Sequence, residues 1–154
     1  MPCAVLTVSD TRSKQTDGGG RRIREMLESD GHTVVAYEIV KDELDEIRRH
    51  VTALTQAETC RAILITGGTG VAARDVTCEA IDALLDKRLD GFGELFRMLS
   101  YEQVGAAAML SQAVAGTVGR CVVYVMPGSP AAVELAMEKL ILPQLGHIVS
   151  LLDS

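Results

Sequence analysis

The sequence predicts a three-layer α/β/α protein in which helices cover both faces of a mainly parallel sheet. Apolar, β-branched runs of strand length alternate with segments that have the 3–4 residue spacing of amphipathic helices. Glycine-containing turns follow two of the runs, at Thr66–Gly70 and Pro127–Ser129. A chain of 154 residues is long enough to bury one sizeable core, so we expect a single domain over residues 1–154.

The first part of the chain is expected to hold three strands separated by helices. Gly31 is a typical residue after a helix end, and Asp42 begins the next apolar stripe at helical spacing. Between the first strand and the first helix, the glycines of residues 16–20 predict a flexible loop. The predicted strands are Cys3–Ser9, Thr33–Val40 and Arg61–Thr66.

The second part is less regular, but it ends in a strand followed by helices. Ser129 and Pro130 are good residues for the cap and first position of a helix, and Pro143 is expected to interrupt the helix that runs toward Leu152. The remaining predictions are a helix at Val76–Lys87, a loop at Gly91–Gly93, helices at Glu94–Val104 and Gly105–Ala115, and a strand at Cys121–Met126.

Charge and composition exclude several classes of partner. The net charge is −6 and the chain has no basic run, so we expect no nucleic-acid binding. We find no apolar run of bilayer length and no basic leader, so we expect no membrane association and a cytoplasmic location. The cysteines are far apart in sequence and lack zinc spacing, so we interpret Cys3, Cys60, Cys78 and Cys121 as buried reduced thiols.

The segment Thr66–Gly70 is the strongest functional signal. It places three glycines between a buried strand and a helix, an arrangement that presents backbone N–H groups to an anion such as phosphate. A P-loop is excluded because no Lys-Ser/Thr pair follows Gly70. A generic turn and a relaxed dinucleotide fingerprint, Gly68-x-Gly70-x-x-Ala73, remain alternatives.

Carboxylates follow the ends of several predicted strands. Asp10, Asp42 and Asp75 lie beside the candidate phosphate site, where they would repel phosphate unless a divalent cation lies between them. We therefore predict Mg²⁺, held by one or two of these carboxylates together with substrate oxygens. For Asp42 and Asp75 the alternative is helix capping or complement of the helix dipole. Glu94 is a further candidate, with an ordinary first-turn acid as its alternative.

Two other residues have two interpretations each. Ser129 is expected to cap its helix, and its hydroxyl could at the same time donate to a phosphate at that helix end. Arg74 either forms a local ion pair or neutralises a phosphate. The sequence does not separate these roles.

Four segments together resemble the MogA/MoaB family of molybdenum cofactor biosynthesis, to which the gephyrin G domain also belongs. The resemblance begins at Val5-Leu-Thr-Val-Ser-Asp10, covers nearly the whole chain, and is closer to the MoaB branch in its middle part. The segments are Thr66-Gly-Gly-Thr-Gly70, Arg74-Asp75-Val76-Thr77, Gly91-Phe-Gly-Glu-Leu-Phe-Arg-Met-Leu-Ser100 and Pro127-Gly-Ser129.

This resemblance implies a molybdopterin-binding fold and a reaction. With Mg²⁺ and ATP, the terminal phosphate of molybdopterin is adenylylated and pyrophosphate is released. By family motif, Asp42 and Asp75 match acids linked to catalysis or binding, and we expect these two carboxylates to hold Mg²⁺ and organise the nucleotide. The matched phosphate and pterin site is Thr66, Gly67, Gly68, Thr69, Gly70 and Ser129, to which the residue analysis adds Glu94 and Asp10 as candidates.

The resemblance also implies a homo-trimer or homo-hexamer and a hand-over of the adenylate to a separate molybdenum-inserting protein. The small, apolar stretch Gly105–Ala115 is a candidate subunit contact, with a core helix as its alternative. Two functional alternatives stay open. One is a molybdopterin carrier without catalysis, and the other is a nicotinamide-dependent oxidoreductase that rests on the relaxed fingerprint alone.

Overall fold

A six-stranded sheet lies between two layers of helices in the computed structural model, which describes residues 1–154. This confirms the predicted α/β class. The strands are β1 (Pro2–Val8), β2 (Thr33–Val40), β3 (Ala62–Thr66), β4 (Lys87–Arg88), β5 (Val114–Val118) and β6 (Cys121–Met126). The helices are α1 (Gly18–Ser29), α2 (Leu44–Gln56), α3 (Thr77–Asp82), α4 (Asp90–Val104), α5 (Pro130–Ala136) and α6 (Leu142–Leu152).

The strand order is β2-β1-β3-β6-β5-β4. The first four strands are mutually parallel, whereas β5 is antiparallel to β6 and β4 is antiparallel to β5. The carboxyl ends of β2, β1, β3 and β6 therefore lie at one edge of the sheet. We call this the carboxyl edge, and the opposite one, where these strands begin, the amino edge.

The apolar core has one part on each face of the sheet. Helices α1, α4, α5 and α6 pack on one face, and α2 and α3 pack on the other. The helical stripes predicted from sequence point inward, as shown by Ile23 and Leu27 on α1 and by Ile47 and Val51 on α2, all with no exposed surface. Because both faces are covered, β3 and β6 are buried along their whole length.

Helix α1 begins earlier than expected, since Gly18–Gly20 form its first turn and not a loop. Asp17 caps the helix by accepting a hydrogen bond from the Gly20 N–H at 2.9 Å. A Cβ on Gly19 would lie only 2.6 Å from the carbonyl oxygen of Gly128. The glycines here serve close packing between the helix start and a neighbouring turn, not flexibility.

The prediction for residues 76–115 was wrong in several details. The expected helix Val76–Lys87 ends at Asp82, because Lys87–Arg88 pair as β4 with β5. Gly91–Gly93 belong to α4, which packs so closely that a Cβ on Gly93 would lie 2.6 Å from the Ala113 carbonyl oxygen. The expected helix Gly105–Ala115 is a 3₁₀ helix at Gly105–Leu110 followed by the start of β5.

Pro143 does not interrupt the last helix. Met137–Ile141 form a π-helical segment that joins α5 to α6, and it widens the turn that precedes Pro143. This accommodates the missing N–H and the bulk of the proline ring. By length and composition alone, Pro130–Leu152 could span a membrane, contrary to our expectation, but core helices of soluble proteins pass the same test. Here the segment contributes side chains to the core, including Val133, Ile141, Leu145 and Val149.

Candidate functional site

Two glycine-containing turns meet at the carboxyl edge. The first, Thr66–Gly70, follows β3, and the second, Pro127–Ser129, follows the neighbouring strand β6. The Thr66 hydroxyl donates to the Pro127 carbonyl oxygen at 2.8 Å. A Cβ on Gly128 would lie 3.4 Å from the Gly67 Cα. The two turns therefore form one continuous surface.

The carbonyl groups of the first turn are engaged by the protein. The Thr77 hydroxyl donates to the Gly67 carbonyl at 2.9 Å, and the Thr77 N–H donates to the Gly68 carbonyl at 3.2 Å. The Gln112 N–H donates to the Thr69 carbonyl at 3.1 Å. With its carbonyl oxygens held by these contacts, the turn keeps its acceptors away from a ligand.

Unlike the carbonyl groups, most backbone N–H groups of the two turns make no hydrogen bond within the protein. Those of Gly68, Thr69 and Gly70 have no acceptor within the protein, and the same is true of Gly128 and Ser129. Free amide donors on a glycine turn, or at a helix start as for Ser129, are the usual partners of phosphate and other anions. This is the donor set that the sequence predicted for an anion site.

The first turn requires glycine. Gly67 and Gly68 have φ values of +95° and +67°. A Cβ on Gly67 would lie 2.4 Å from the Val8 carbonyl oxygen, and one on Gly68 would lie 2.2 Å from the Thr77 hydroxyl. Both the dihedral angles and the close approach exclude larger residues.

Three carboxylates border the turn, as the sequence predicted. Asp10 accepts a hydrogen bond from the Asp42 N–H at 3.0 Å and forms an ion pair with Arg74 at 2.5 Å. The structure therefore assigns Arg74 the local ion pair. A Cβ on Gly68 would lie 3.1 Å from a carboxylate oxygen of Asp42, which places that oxygen beside the turn.

Asp75 faces the end of the same turn. Its carboxylate accepts from the Ala72 N–H at 3.0 Å, and a Cβ on Gly70 would lie 2.7 Å from it. Neither candidate metal ligand caps a helix, which leaves complement of the helix dipole as the alternative. The cap residues of α2 and α3 are Glu43 and Val76, and neither helix receives a capping hydrogen bond from a side chain.

The pKa values of Asp10 and Asp42 are shifted in opposite directions. The hydrogen bond from Arg74 lowers the pKa of Asp10 below its usual value. The pKa of Asp42 is raised, mainly by burial and then by the charge of Asp10, with Asp75 adding to the effect. The charge of Arg74 offsets these effects only in part.

The other predicted site residues have distinct positions. Thr66 is fully buried, so its hydroxyl links the two turns and its side chain does not face a ligand. Ser129 caps α5 by accepting from the Ala132 N–H at 3.2 Å, which leaves its own hydroxyl hydrogen free to donate. Glu94 makes no hydrogen bond or ion pair with the turn; it lines a separate pocket of about 140 Å³ with Arg88 and Arg97.

Sequence analysis missed a buried carboxylate next to the site. Asp17 has no exposed surface and accepts from the Thr7 hydroxyl at 2.6 Å and the Tyr37 hydroxyl at 2.5 Å. Burial and the hydrogen bond to Asp17 raise the pKa of Tyr37. This network fixes the start of α1, whose Gly19 touches the second turn. The signal in the sequence was an aspartate directly before a glycine run, a common helix start.

Comparison with known proteins agrees with this geometry. Residues 4–147 match the model of a family described as "Probable molybdopterin binding domain". Molybdenum cofactor biosynthesis protein B of Bacillus cereus is 55% identical over 147 residues, which is 95% of this chain and 87% of that protein.

The chain belongs to this molybdopterin-binding family.

Solved structures of relatives have the same fold. A crystal structure of molybdenum cofactor biosynthesis protein B superposes with a TM-score of 0.96 at 54% identity, over 99% of this chain and 95% of the other. The tungsten cofactor synthesizing protein MoaB of Pyrococcus furiosus superposes with a TM-score of 0.89 at 36% identity, over 99% and 97% of the two chains. The chain is therefore a molybdenum cofactor biosynthesis protein of the MoaB type, as its motifs indicated, and the nicotinamide interpretation is set aside.

Proposed function

We propose that this chain adenylylates the terminal phosphate of molybdopterin with Mg-ATP and releases pyrophosphate. The observation that carries the proposal is the set of free backbone N–H groups on two touching turns, with Asp42 and Asp75 beside them. A surface that only bound the apolar or ring part of a ligand would not need these donors. A surface that bound phosphate alone would not place acids next to it.

In this proposal the phosphate of molybdopterin binds across the two turns. The N–H groups of Gly68, Thr69 and Gly70 donate to it from one side, and those of Gly128 and Ser129 donate from the other. The Ser129 hydroxyl adds one more donor. Because the turns are held by buried contacts, these donors are oriented before the ligand arrives.

The residues present fit a magnesium ion. Asp42 and Asp75 supply carboxylate oxygens, and a cation beside Asp42 would offset the burial and the neighbouring acids that raise its pKa. No group of three or more acidic, histidine or cysteine side chains is arranged to hold a metal. This agrees with Mg²⁺, which takes one or two carboxylates together with phosphate oxygens and water. When bound, the ion would neutralise charge on the phosphates of ATP.

The reaction needs positioning more than proton transfer. A phosphate oxygen of molybdopterin attacks the α-phosphorus of ATP, the new P–O bond forms, and the bond to pyrophosphate breaks. The attacking phosphate is already an anion, so no general base is required. The role of this chain is to hold two anionic groups in line. The amide donors of the turns would hold the molybdopterin phosphate, and Asp42 and Asp75 would hold the metal ion that accompanies ATP.

The test is pyrophosphate release from ATP, measured with and without added molybdopterin and Mg²⁺. We expect release only when all three are present, with one pyrophosphate for each molybdopterin adenylylated. If molybdopterin binds and ATP remains intact, the chain is a carrier and the proposal is wrong. The adenylylated molybdopterin would be the substrate of a separate molybdenum-inserting protein.

We also propose that the chain forms a homo-oligomer, a trimer or hexamer. On α4, Leu95, Met98, Tyr101 and Val104 have exposed fractions between 47% and 64%. Each lies one turn from the next, and because a three-residue step turns back by about 60°, they form a strip that winds across the helix surface. Met109 and Leu110 in the 3₁₀ helix extend this surface. Exposed apolar patches of this kind mark protein contacts. Ala108 is buried, so the small-residue stretch predicted as a contact is only partly available.

The native mass of the purified chain tests this second proposal. Met98→Glu places a charge in the centre of the patch and should give a smaller species, whereas Glu79→Lys on the exposed part of α3 should not change the mass. A monomeric wild-type chain would overturn it.

A further inference from the structure

Two of the four cysteines share a cavity at the amino edge, on the side of the sheet away from the proposed site. Cys60 precedes β3 and Cys121 begins β6. Both side chains belong to the same part of the core, and both line a cavity of about 280 Å³ together with Arg61 and Arg120. Their exposed fractions are 1% and 3%, so reagents reach them only through this cavity.

The positions of these two cysteines suit a direct bond. The register pairs Ala62 with Val122, which places Cys60 one residue before the position opposite Cys121. Cys60 lies just outside β3, and its side chain packs in the same part of the core as that of Cys121. The Cys121 thiol donates to the Cys60 carbonyl at 3.0 Å.

The two thiols are not equivalent. The pKa of Cys121 is lowered, first by the adjacent Cys60 thiol and then by the charge of Arg61, against the opposing effect of burial. The pKa of Cys60 is raised by Cys121 and by burial. Burial raises the pKa of Cys3 to about 11 and that of Cys78 to about 12. Cys121 is thus the cysteine best suited to act as a nucleophile.

We infer that Cys60 and Cys121 form an oxidisable dithiol that reacts with peroxide. The Cys121 sulfur attacks one peroxide oxygen, the O–O bond breaks, and the leaving hydroxide takes a proton to become water. The resulting sulfenic acid is attacked by Cys60; the S–S bond forms, the S–O bond breaks, and a second water leaves with the Cys60 proton. Two thiols are oxidised to one disulfide while one peroxide is reduced to water.

The experiment treats reduced wild-type protein with hydrogen peroxide and maps its peptides without reduction. We expect a disulfide that joins Cys60 to Cys121. In Cys60→Ser, which keeps a hydrogen-bond donor beside Cys121 but cannot close the bond, dimedone should trap a sulfenic acid on Cys121 at least about tenfold faster than on Cys3 or Cys78. The control variants Cys3→Ala and Cys78→Ala should keep the disulfide.

Other outcomes would overturn the inference. A disulfide between Cys60 and Cys3, which lies on the adjacent strand β1, would show that Cys121 is not the partner. No disulfide at any peroxide concentration would contradict the dithiol altogether. The wild-type map gives this answer even if a variant folds poorly, and it needs neither molybdopterin nor ATP, so it stands apart from the proposed adenylylation.

Discussion

The two edges of the sheet treat their charged side chains differently. At the amino edge one carboxylate, Asp153, is paired with two guanidinium groups, Arg61 at 2.6 Å and Arg120 at 2.5 Å. At the carboxyl edge the ratio is reversed, since Asp10, Asp42 and Asp75 lie near the single ion-paired cation Arg74. The pKa of Asp153 is accordingly lowered, whereas that of Asp42 is raised.

This difference distinguishes charges that are paired within the chain from charges that are available to a ligand. Ion pairs at the amino edge are satisfied within the chain and join its last residues to two strands. The carboxyl edge has an excess of acids and a set of amide donors without acceptors. The amide donors favour an anion there, and the acids repel it unless a cation binds as well. We therefore propose that the ligand binds at the carboxyl edge, where the amide donors have no acceptors within the chain and the acids are in excess.

The largest expected effect is that of Gly68→Ala at the carboxyl edge. The matched control is Gly31→Ala, since Gly31 also has a positive φ, +86°, but a Cβ there would meet nothing within 4 Å. The control should lower the free energy of unfolding by about 1–2 kcal/mol through backbone strain alone. Gly68→Ala should lower it by at least about 1 kcal/mol more, because the new Cβ meets Thr77, and it should abolish molybdopterin binding. Urea unfolding and a binding titration measure both; equal losses would contradict the assigned role.

The next largest effect is on activity alone. Asp75→Asn keeps an acceptor for the Ala72 N–H and removes the charge, so we expect adenylylation to fall at least about 100-fold while molybdopterin binding stays largely intact. Asp153→Asn is the control at the other edge and should leave the rate of pyrophosphate release unchanged. Full activity in Asp75→Asn would refute this assignment.

Ser129→Gly separates the two roles of Ser129. Glycine is only a few tenths of a kcal/mol worse than serine at a helix cap, so the stability should change little. Loss of the hydroxyl should nevertheless weaken molybdopterin binding by about tenfold, as expected for one hydrogen bond to a charged group. The dissociation constant and the melting temperature of the same variant decide between the roles. Unchanged binding would leave Ser129 with capping alone.

The smallest expected effect is on the pH dependence of stability, to which Asp42 and Asp10 contribute with opposite signs. The pKa of Asp42 is raised, so its ionised form destabilises the fold as the pH rises through the interval between its unfolded and folded pKa values. The pKa of Asp10 is lowered, so its contribution is present at neutral pH and is lost as the pH falls through its folded pKa.

Melting curves across pH, without metal, measure this pair of effects. Asp42→Asn should melt slightly higher than wild type at neutral pH, and Asp10→Asn should melt lower; both differences should shrink in acid. Added Mg²⁺ should stabilise the wild type more than Asp42→Asn. If both substitutions shift the melting temperature in the same direction, the proposed imbalance at this edge is wrong.

Sequence patterns predicted the parts of the fold that repeat a simple rule. The strand at Thr33–Val40, the inward stripes of α1 and α2, and the turns after β3 and β6 follow from periodicity and glycine placement. The antiparallel arm was missed because β4 has only two residues, and its pairing with β5 depends on contacts distant in sequence. The helical position of Gly93 has no local signal in the sequence, because it depends on tight packing against Ala113.

The candidate site was predictable to a similar degree. The alternation of strands and helices brings strand ends to one edge, so Asp10, Asp42 and Asp75 could be expected near the glycine turn. The pairing of Arg74 with Asp10 and the buried Asp17 network are decided by side-chain placement in three dimensions. The segment Gly91–Glu94 made Glu94 a candidate site residue, but in the fold Glu94 lies with Arg88 and Arg97 in a separate pocket.

The most direct test of the central claim is a crystal structure of the chain with molybdopterin, Mn²⁺ in place of Mg²⁺, and a non-hydrolysable ATP analogue. The account predicts the molybdopterin phosphate within hydrogen-bonding distance of the Gly68–Gly70 amides and Ser129, with the anomalous signal of the metal at Asp42 or Asp75. A phosphate bound elsewhere, or a metal that touches neither acid, would contradict it.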